Sequence, residues 1–200
     1  MDNEVRLEEL RHLMVDTQIA ARGIRDPRVL AAMRDVPRHL FVPANIRHSA
    51  YEDCPLPIGE GQTISQPFIV AFMTELLEPA PGDRVLEIGA GSGYQAAILA
   101  RLVKSVITIE RLPEIAEMAK RNLAAVSVPN VNVVVGDGTL GWKDDAPYDG
   151  ILVTAAAPFV PPALVEQLAE GGRLVAPVGD REIQQLVKLT RKGGTIHEDR

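Results

Sequence analysis

The 200 residues carry a formal net charge of −6, 46% hydrophobic side chains and one cysteine, Cys54. These values exclude an intramolecular disulfide framework and a zinc site built on several cysteines, and they disfavour a broad nucleic-acid footprint. The opening MDNEVRLEEL is acidic and has no apolar segment, and no apolar run is long enough to cross a bilayer, so a cytoplasmic chain with no membrane or nucleic-acid partner is expected.

Val5, Leu7, Leu10, Leu13 and Met14 recur at helical spacing. A second helix starts at Asp26-Pro27, where the aspartate caps and the proline suits the first turn, and it stops before Pro37. Residues 37–61 are proline-rich and read as loop with brief turns. Pro67 opens the apolar helix FIVAFMTELLE, ended by Pro79 and Pro81. Beyond residue 82 the rhythm changes. Strands are expected at 84–88, 105–110, 131–135, 149–154, 173–178 and 184–190, with helices at 94–103, 113–125 and 162–169, the last stopped by Gly171-Gly172. Alternating strands and helices imply an α/β fold: a Rossmann-like, doubly wound, mostly parallel sheet with helices on both faces. Residues 1–80 form a helical N-terminal extension carrying a polar loop, and 81–200 form the core, the two integrated as one domain.

Chemistry concentrates where strands end. VLEIGAGSGYQ (85–95) is a strand, a glycine loop and a helix start, with Gly89, Gly91 and Gly93 spaced GxGxG. The dinucleotide fingerprint wants GxGxxG, and its third glycine falls at Tyr94, so a nicotinamide-dependent oxidoreductase is disfavoured. Glu87 before the loop would repel a phosphate and favours a cationic or hydroxyl-bearing ligand. Glu110 ends the next strand, where an acid can accept from both ribose hydroxyls. Asp137, between Gly136 and Gly138, can accept from an adenine amino group. The three strand ends outline an adenosine pocket with no grip on phosphate.

That set resembles the class I S-adenosylmethionine-dependent methyltransferases over roughly residues 83–178. The resemblance implies Gly89, Gly91 and Gly93 on the methionine side of the cofactor, Glu110 with Arg111 at the ribose, and Asp137 with Gly138 at the adenine. VTAAAPF (153–159) offers no polar-Pro-Pro-aromatic box of the kind that amino-group methyltransferases carry, and His12, His39, His48 and His197 lie outside the sheet edge. A site without an evident base suits an acceptor that is already ionised, such as a carboxylate. GQTISQP (61–67) is uncharged and dense in small hydrogen-bonding groups. Gln62, Thr63, Ser65 and the amides of Ile64 and Gln66 can hold a carboxylate without a permanent cation. The competing reading makes Ser65 or Gln66 a helix cap ahead of Pro67.

The run PLPIGEGQTISQPFIVAFMTELL (55–77) resembles the protein-L-isoaspartate O-methyltransferases, as do VPRHLFVP (36–43), VLEIGAGSGYQAAILA (85–100), GDG (136–138), VTAAAP (153–158) and GGRLVAPVG (171–179). The resemblance implies methyl transfer from S-adenosyl-L-methionine, leaving S-adenosyl-L-homocysteine, to the α-carboxylate of L-isoaspartyl residues in damaged proteins and peptides. The ester then collapses to a succinimide. It implies Ser65 as the active-site residue and places Val178-Gly179 near substrate. It implies no metal, and a monomer is expected. A non-catalytic adenosine-ligand sensor is disfavoured by GQTISQP. Family members usually continue past GGTIHEDR with another strand, whereas this chain stops at Arg200, which is expected to leave a sheet edge open.

Overall fold

The computed structural model describes residues 2–155, 157–180 and 183–199, so Ala156 of VTAAAPF and Arg200 lie outside the described residues. Helix α1 (Asp2–Met14) precedes α2 (Pro27–Asp35), whose first turn is capped as expected: the Asp26 carboxylate accepts from the Arg28 amide at 2.8 Å. Helix α3 (Pro67–Leu77) ends at Glu78, which adopts a left-handed conformation ahead of Pro79. The Glu75 carboxylate on α3 accepts from the amides of Arg25 and Asp26, both at 2.6 Å, and so fastens the N-terminal layer to the helix behind the polar loop.

The main sheet holds β3 (Arg84–Ile88), β4 (Ser105–Glu110), β5 (Val131–Val135), β6 (Tyr148–Val153), β7 (Leu168–Gly179), β8 (Gln184–Lys192) and β9 (Thr195–Asp199) in the order β5-β4-β3-β6-β7-β8-β9. The first five strands in this order are parallel, and β8 and β9 are added antiparallel. Helices α4 (Tyr94–Ala100), α5 (Pro113–Ala125) and α6 (Pro162–Glu166) follow β3, β4 and β6. One sheet face buries Val85, Val106, Leu152 and Val175 against α3, α4 and the N-terminal layer; the other buries Leu86, Ile151, Val153 and Leu174 under Leu164 of α6, with Trp142 packed against them. The strand order reverses at β3, which puts a crevice at the carboxyl ends of β3, β4 and β6, where open α/β sheets take ligands.

Four departures from the sequence reading have physical causes. The stretch read as loop before α3 holds a hairpin, β1 (Leu56–Gly59) paired with β2 (Gln62–Ile64), because Leu56, Ile58 and Ile64 are buried and Gly59, Glu60 and Gly61 turn the chain with φ of 104°, 49° and 67°. Helix α4 stops at Ala100, since Leu102 and Val103 both donate to the Leu99 carbonyl in a tight turn. Gly171-Gly172 does not stop a helix; α6 ends earlier, and the glycines form a bulge in β7 between the pairs Tyr148↔Leu168 and Gly150↔Arg173. A Cβ on Gly172 would lie 2.9 Å from the carbonyls of both Ala169 and Tyr148, so only glycine fits there. Finally, β9 was not anticipated; it folds back through Gly193-Gly194, a two-glycine hairpin turn with φ of 60° and 76°.

Candidate active site

Two adjoining cavities open at the carboxyl edge of the sheet. The smaller, of about 90 Å³, is walled by Gln62, Thr63, Ile64 and Ser65 on one side and by Gly89, Gly91 and Glu110 on the other. The larger, of about 370 Å³, runs over Glu110 and Arg111 to Asp137 and Gly138. Gln62, Gly89, Glu110 and Ala155 line both, so the hairpin β1–β2 roofs the junction between them.

Glu110 organises the loop that separates the cavities. Its Oε2 accepts from the Gly91 amide at 3.1 Å, and its Oε1 accepts from the amides of Arg111 and Leu112 at 2.9 and 3.1 Å. The Gly89 amide donates to the Ile109 carbonyl at 2.8 Å, and that of Gly93 to the Ala90 carbonyl at 2.8 Å. The loop amides are therefore already engaged, partly by a carboxylate. A dinucleotide pyrophosphate needs free amides at this place, so the geometry refuses one and fits a ligand whose methionine end is cationic. Asp137 is exposed; its Oδ1 accepts from the amide and hydroxyl of Thr139 at 2.9 and 2.7 Å, which holds its pKa below the ordinary carboxylate range. Its Oδ2 has no hydrogen bond among the described residues and is free for an exocyclic amine. This donor and acceptor set fits S-adenosyl-L-methionine.

Ser65 borders the smaller cavity, and its hydroxyl makes no hydrogen bond within the described residues. The cap reading fails for both residues. Gln66 is the N-cap of α3 and makes no side-chain capping bond, because its amide instead reaches the Asp53 carbonyl at 3.1 Å. With the cap duty gone, the Ser65 hydroxyl is free to donate into the cavity.

Six of the expected site residues do not line either cavity. Glu87 points to the opposite sheet face from Ile88, fully buried beside its register partner Thr108. Gly93 serves packing, since a Cβ there would meet Leu123 at 3.2 Å and the Ala119 carbonyl at 3.3 Å. Gln66 turns away toward Asp53, and Pro67 is buried as the first residue of α3. Val178 bridges to Ala157, and Gly179 donates to the Ala157 carbonyl at 3.0 Å, so both stitch β7 to the loop after β6. Beside them a recess of about 270 Å³ reaches Ser65 from Pro177, Gln184 and Gln185.

Two residues with no role in the sequence reading matter here. Thr154 lines the smaller cavity, and its hydroxyl donates within 2.7–2.8 Å of the carbonyls of both Gly89 and Ile88, tying the glycine loop to β6. Its polar side chain at the end of an apolar strand was the available signal. Arg38 is fully buried behind Ser65, so a cation does stand near the loop that was read as free of one. Of the histidines, His39 is buried and lines neither cavity, with Nδ1 2.7 Å from the Tyr51 hydroxyl.

Glu87 carries a testable cost. Burial pushes its carboxyl up to about 8, the nearby Thr108 hydroxyl offsets part of the rise without making a well-formed hydrogen bond to either carboxyl oxygen, and the charge of Glu110 adds to it. An acid raised in the folded state keeps a proton that the unfolded chain loses, so stability falls as pH rises from about 4.5 to about 8 and then levels off. Glu87→Gln removes that slope. Urea unfolding should show the variant gaining on the parent by about 3–5 kcal/mol between pH 5 and 8.5; parallel stability curves would show that Glu87 ionises freely.

The chain matches the family model "Protein-L-isoaspartate(D-aspartate) O-methyltransferase (PCMT)" over residues 9–200. It is 65% identical to the protein-L-isoaspartate O-methyltransferase of Methanoregula boonei over 190 residues, 95% of this chain and 88% of that protein. It is 60% identical to that of Methanospirillum hungatei over 197 residues, 98% of this chain and 91% of that protein. Among solved structures, a protein-L-isoaspartate O-methyltransferase superposes with a TM-score of 0.79 at 31% identity, covering 97% of this chain and 64% of that one. A Plasmodium falciparum structure described as such an enzyme in complex with S-adenosyl-L-homocysteine gives 0.82 at 26% identity, covering 94% and 93%. The chain belongs to the protein-L-isoaspartate(D-aspartate) O-methyltransferase family, whose members transfer a methyl group from S-adenosylmethionine.

Proposed function

We propose that the smaller cavity is where the isoaspartyl carboxylate of a damaged protein meets the methyl donor, and that the larger cavity holds the adenosine of that donor. The carrying observation is Glu110, whose carboxylate borders both cavities while gripping the Gly91 amide. When bound, S-adenosyl-L-methionine supplies an electrophilic methyl group. The protein's own part is positional. The acceptor carboxylate is ionised at neutral pH and needs no base. Ser65 donates a hydrogen bond to it, the amides of β2 flank it, and Ile64 and Val70 exclude water. The resulting ester is uncharged and leaves toward the succinimide that repair requires.

The acceptor enters as an extended segment alongside β1–β2, so exposed isoaspartyl sites react and buried ones do not. The enzyme works on proteins and peptides in the cytoplasm, as a monomer and without nucleic acid. The net charge of −6 supports the absence of a nucleic-acid partner, and among the described residues no helix is long and apolar enough to cross a membrane.

Titration calorimetry and a labelled-methyl assay test the assignment together. S-Adenosyl-L-homocysteine should bind and NAD should not. The label should appear as an alkali-labile ester on an isoaspartyl peptide, with the matched aspartyl peptide nearly inert. Equal labelling of the two peptides, or an alkali-stable methylated amine, would refute the acceptor.

A further inference from the structure

Arg38 stands in the 3-10 turn Arg38–Phe41, inside VPRHLFVP, and is 0% exposed. Its Nε donates to the Ala50 carbonyl at 2.8 Å and its Nη2 to the Ser65 carbonyl at 2.7 Å. Its guanidinium carbon lies 4.9 Å from the ring centroid of Tyr94. Nη1 has no hydrogen-bond partner. Among the described residues no carboxylate forms an ion pair with it.

Buried charges in proteins are normally paired, because an isolated one loses its hydration and gains nothing in return. Burial presses on this cation, and the titratable groups that act on it, Tyr94, Cys54 and Tyr51, include no carboxylate. The protein therefore keeps a lone positive charge in its interior without a negative one of its own. Ser65 and Tyr94 both line the acceptor cavity, so the guanidinium sits one peptide group and one aromatic ring behind its wall.

We propose that Arg38 is a positioning residue for methyl transfer: it fixes the Ser65 peptide toward the cavity and supplies the buried positive potential whose counter-charge is the acceptor's carboxylate. The inference rests on the assignment of the smaller cavity to that carboxylate. The arrangement answers a chemical conflict. A cation in direct contact would engage the oxygen lone pair that must attack the methyl group. A cation set back behind a peptide and a ring draws the carboxylate in while the Ser65 hydroxyl and the loop amides orient it. The alternative is a purely mechanical tie joining the segments at residues 38, 50 and 65.

The first measurement uses the unaltered protein saturated with S-adenosyl-L-homocysteine. An isoaspartyl peptide should bind about tenfold or more tightly than the same peptide with an isoasparaginyl carboxamide, although no cationic side chain lines the acceptor cavity. Equal affinities would overturn the proposal. The second compares Arg38→Met and Arg38→Lys. The methionine variant should raise KM for the isoaspartyl peptide by about tenfold or more and hold S-adenosyl-L-homocysteine affinity within about threefold, and the lysine variant, which keeps the charge, should recover most of the KM. A lower melting temperature with KM unchanged in both variants would make Arg38 a mechanical tie and overturn the proposal. If the methionine variant fails to fold, the carboxylate-against-carboxamide comparison decides alone. Failure of the underlying assignment looks different: the unaltered enzyme would then methylate no isoaspartyl peptide at all, and the inference would fall with it.

Discussion

Replacing Glu110 by alanine is expected to weaken S-adenosyl-L-homocysteine binding by about 100-fold, the largest cofactor effect of any single substitution in this site. Hydrogen bonds to a charged group are worth about 1.5–3 kcal/mol each, and Glu110 serves two sets of them. One set is internal, to the amides of Gly91, Arg111 and Leu112. The other, on the proposed assignment of the larger cavity to the donor's adenosine, is to the ribose hydroxyls. Alanine removes the ligand bonds and also releases the Gly91 amide, so the glycine loop loses the tie that shapes the methionine side. Together these amount to about 3 kcal/mol of binding free energy, which is about two orders of magnitude in Kd. Glu110→Gln keeps the size and one acceptor, and should fall between the parent and the alanine variant. Calorimetric titration of the three proteins gives the answer, and an unchanged Kd for the alanine variant would remove Glu110 from the cofactor site.

Ser65→Ala is expected to lower kcat/KM for an isoaspartyl peptide by about 10- to 150-fold, the equivalent of one lost hydrogen bond to a charged partner at about 1.5–3 kcal/mol. Cofactor affinity should stay near that of the parent, since Ser65 lines the smaller cavity and not the larger. Stability should also hold. A cap lost to alanine typically costs about 1 kcal/mol, but the Ser65 hydroxyl caps nothing here, because Gln66 occupies the N-cap position. Ser65→Thr keeps the donor and adds a methyl group next to Ile69 and Thr154, which share the recess beside it, so an intermediate rate is expected. Steady-state rate and melting temperature should be measured on the same preparation. A drop in melting temperature with an intact rate would leave the acceptor carboxylate to the backbone amides of β2.

The sequence disclosed the sheet more fully than the site. Strands such as RVLEI and SVITIE are short apolar runs bounded by charge and turn residues, and they appear at 84–88 and 105–110 as read. The convergence of Glu110 and Asp137 near the glycine loop was legible because parallel strands all present their carboxyl ends at one edge. The hairpin over residues 56–64 was hidden, since each arm is too short to show alternation and prolines and glycines dominate the count. Glu87 and Gly93 were misplaced for a related reason. A motif gives spacing, but which way a side chain leaves a strand depends on register, and Glu87 faces the inner side of β3 while its neighbour Ile88 faces the cavity. Arg38 left no local trace. An arginine between two prolines reads as surface, and only the tertiary approach of Ala50, Ser65 and Tyr94 makes it a buried cation.

The joining of the N-terminal layer to the sheet has a consequence for how this enzyme fails. A single apolar cluster runs from Leu7 through Ile64, Val70 and Leu99 to Val175, and Glu75 pins the entry of α2 to α3. Segments sharing one such cluster melt cooperatively. Ile64, Val70 and Tyr94, which wall the smaller cavity, belong to this cluster, so that wall is lost together with the sheet face beneath it and does not melt as a separate roof.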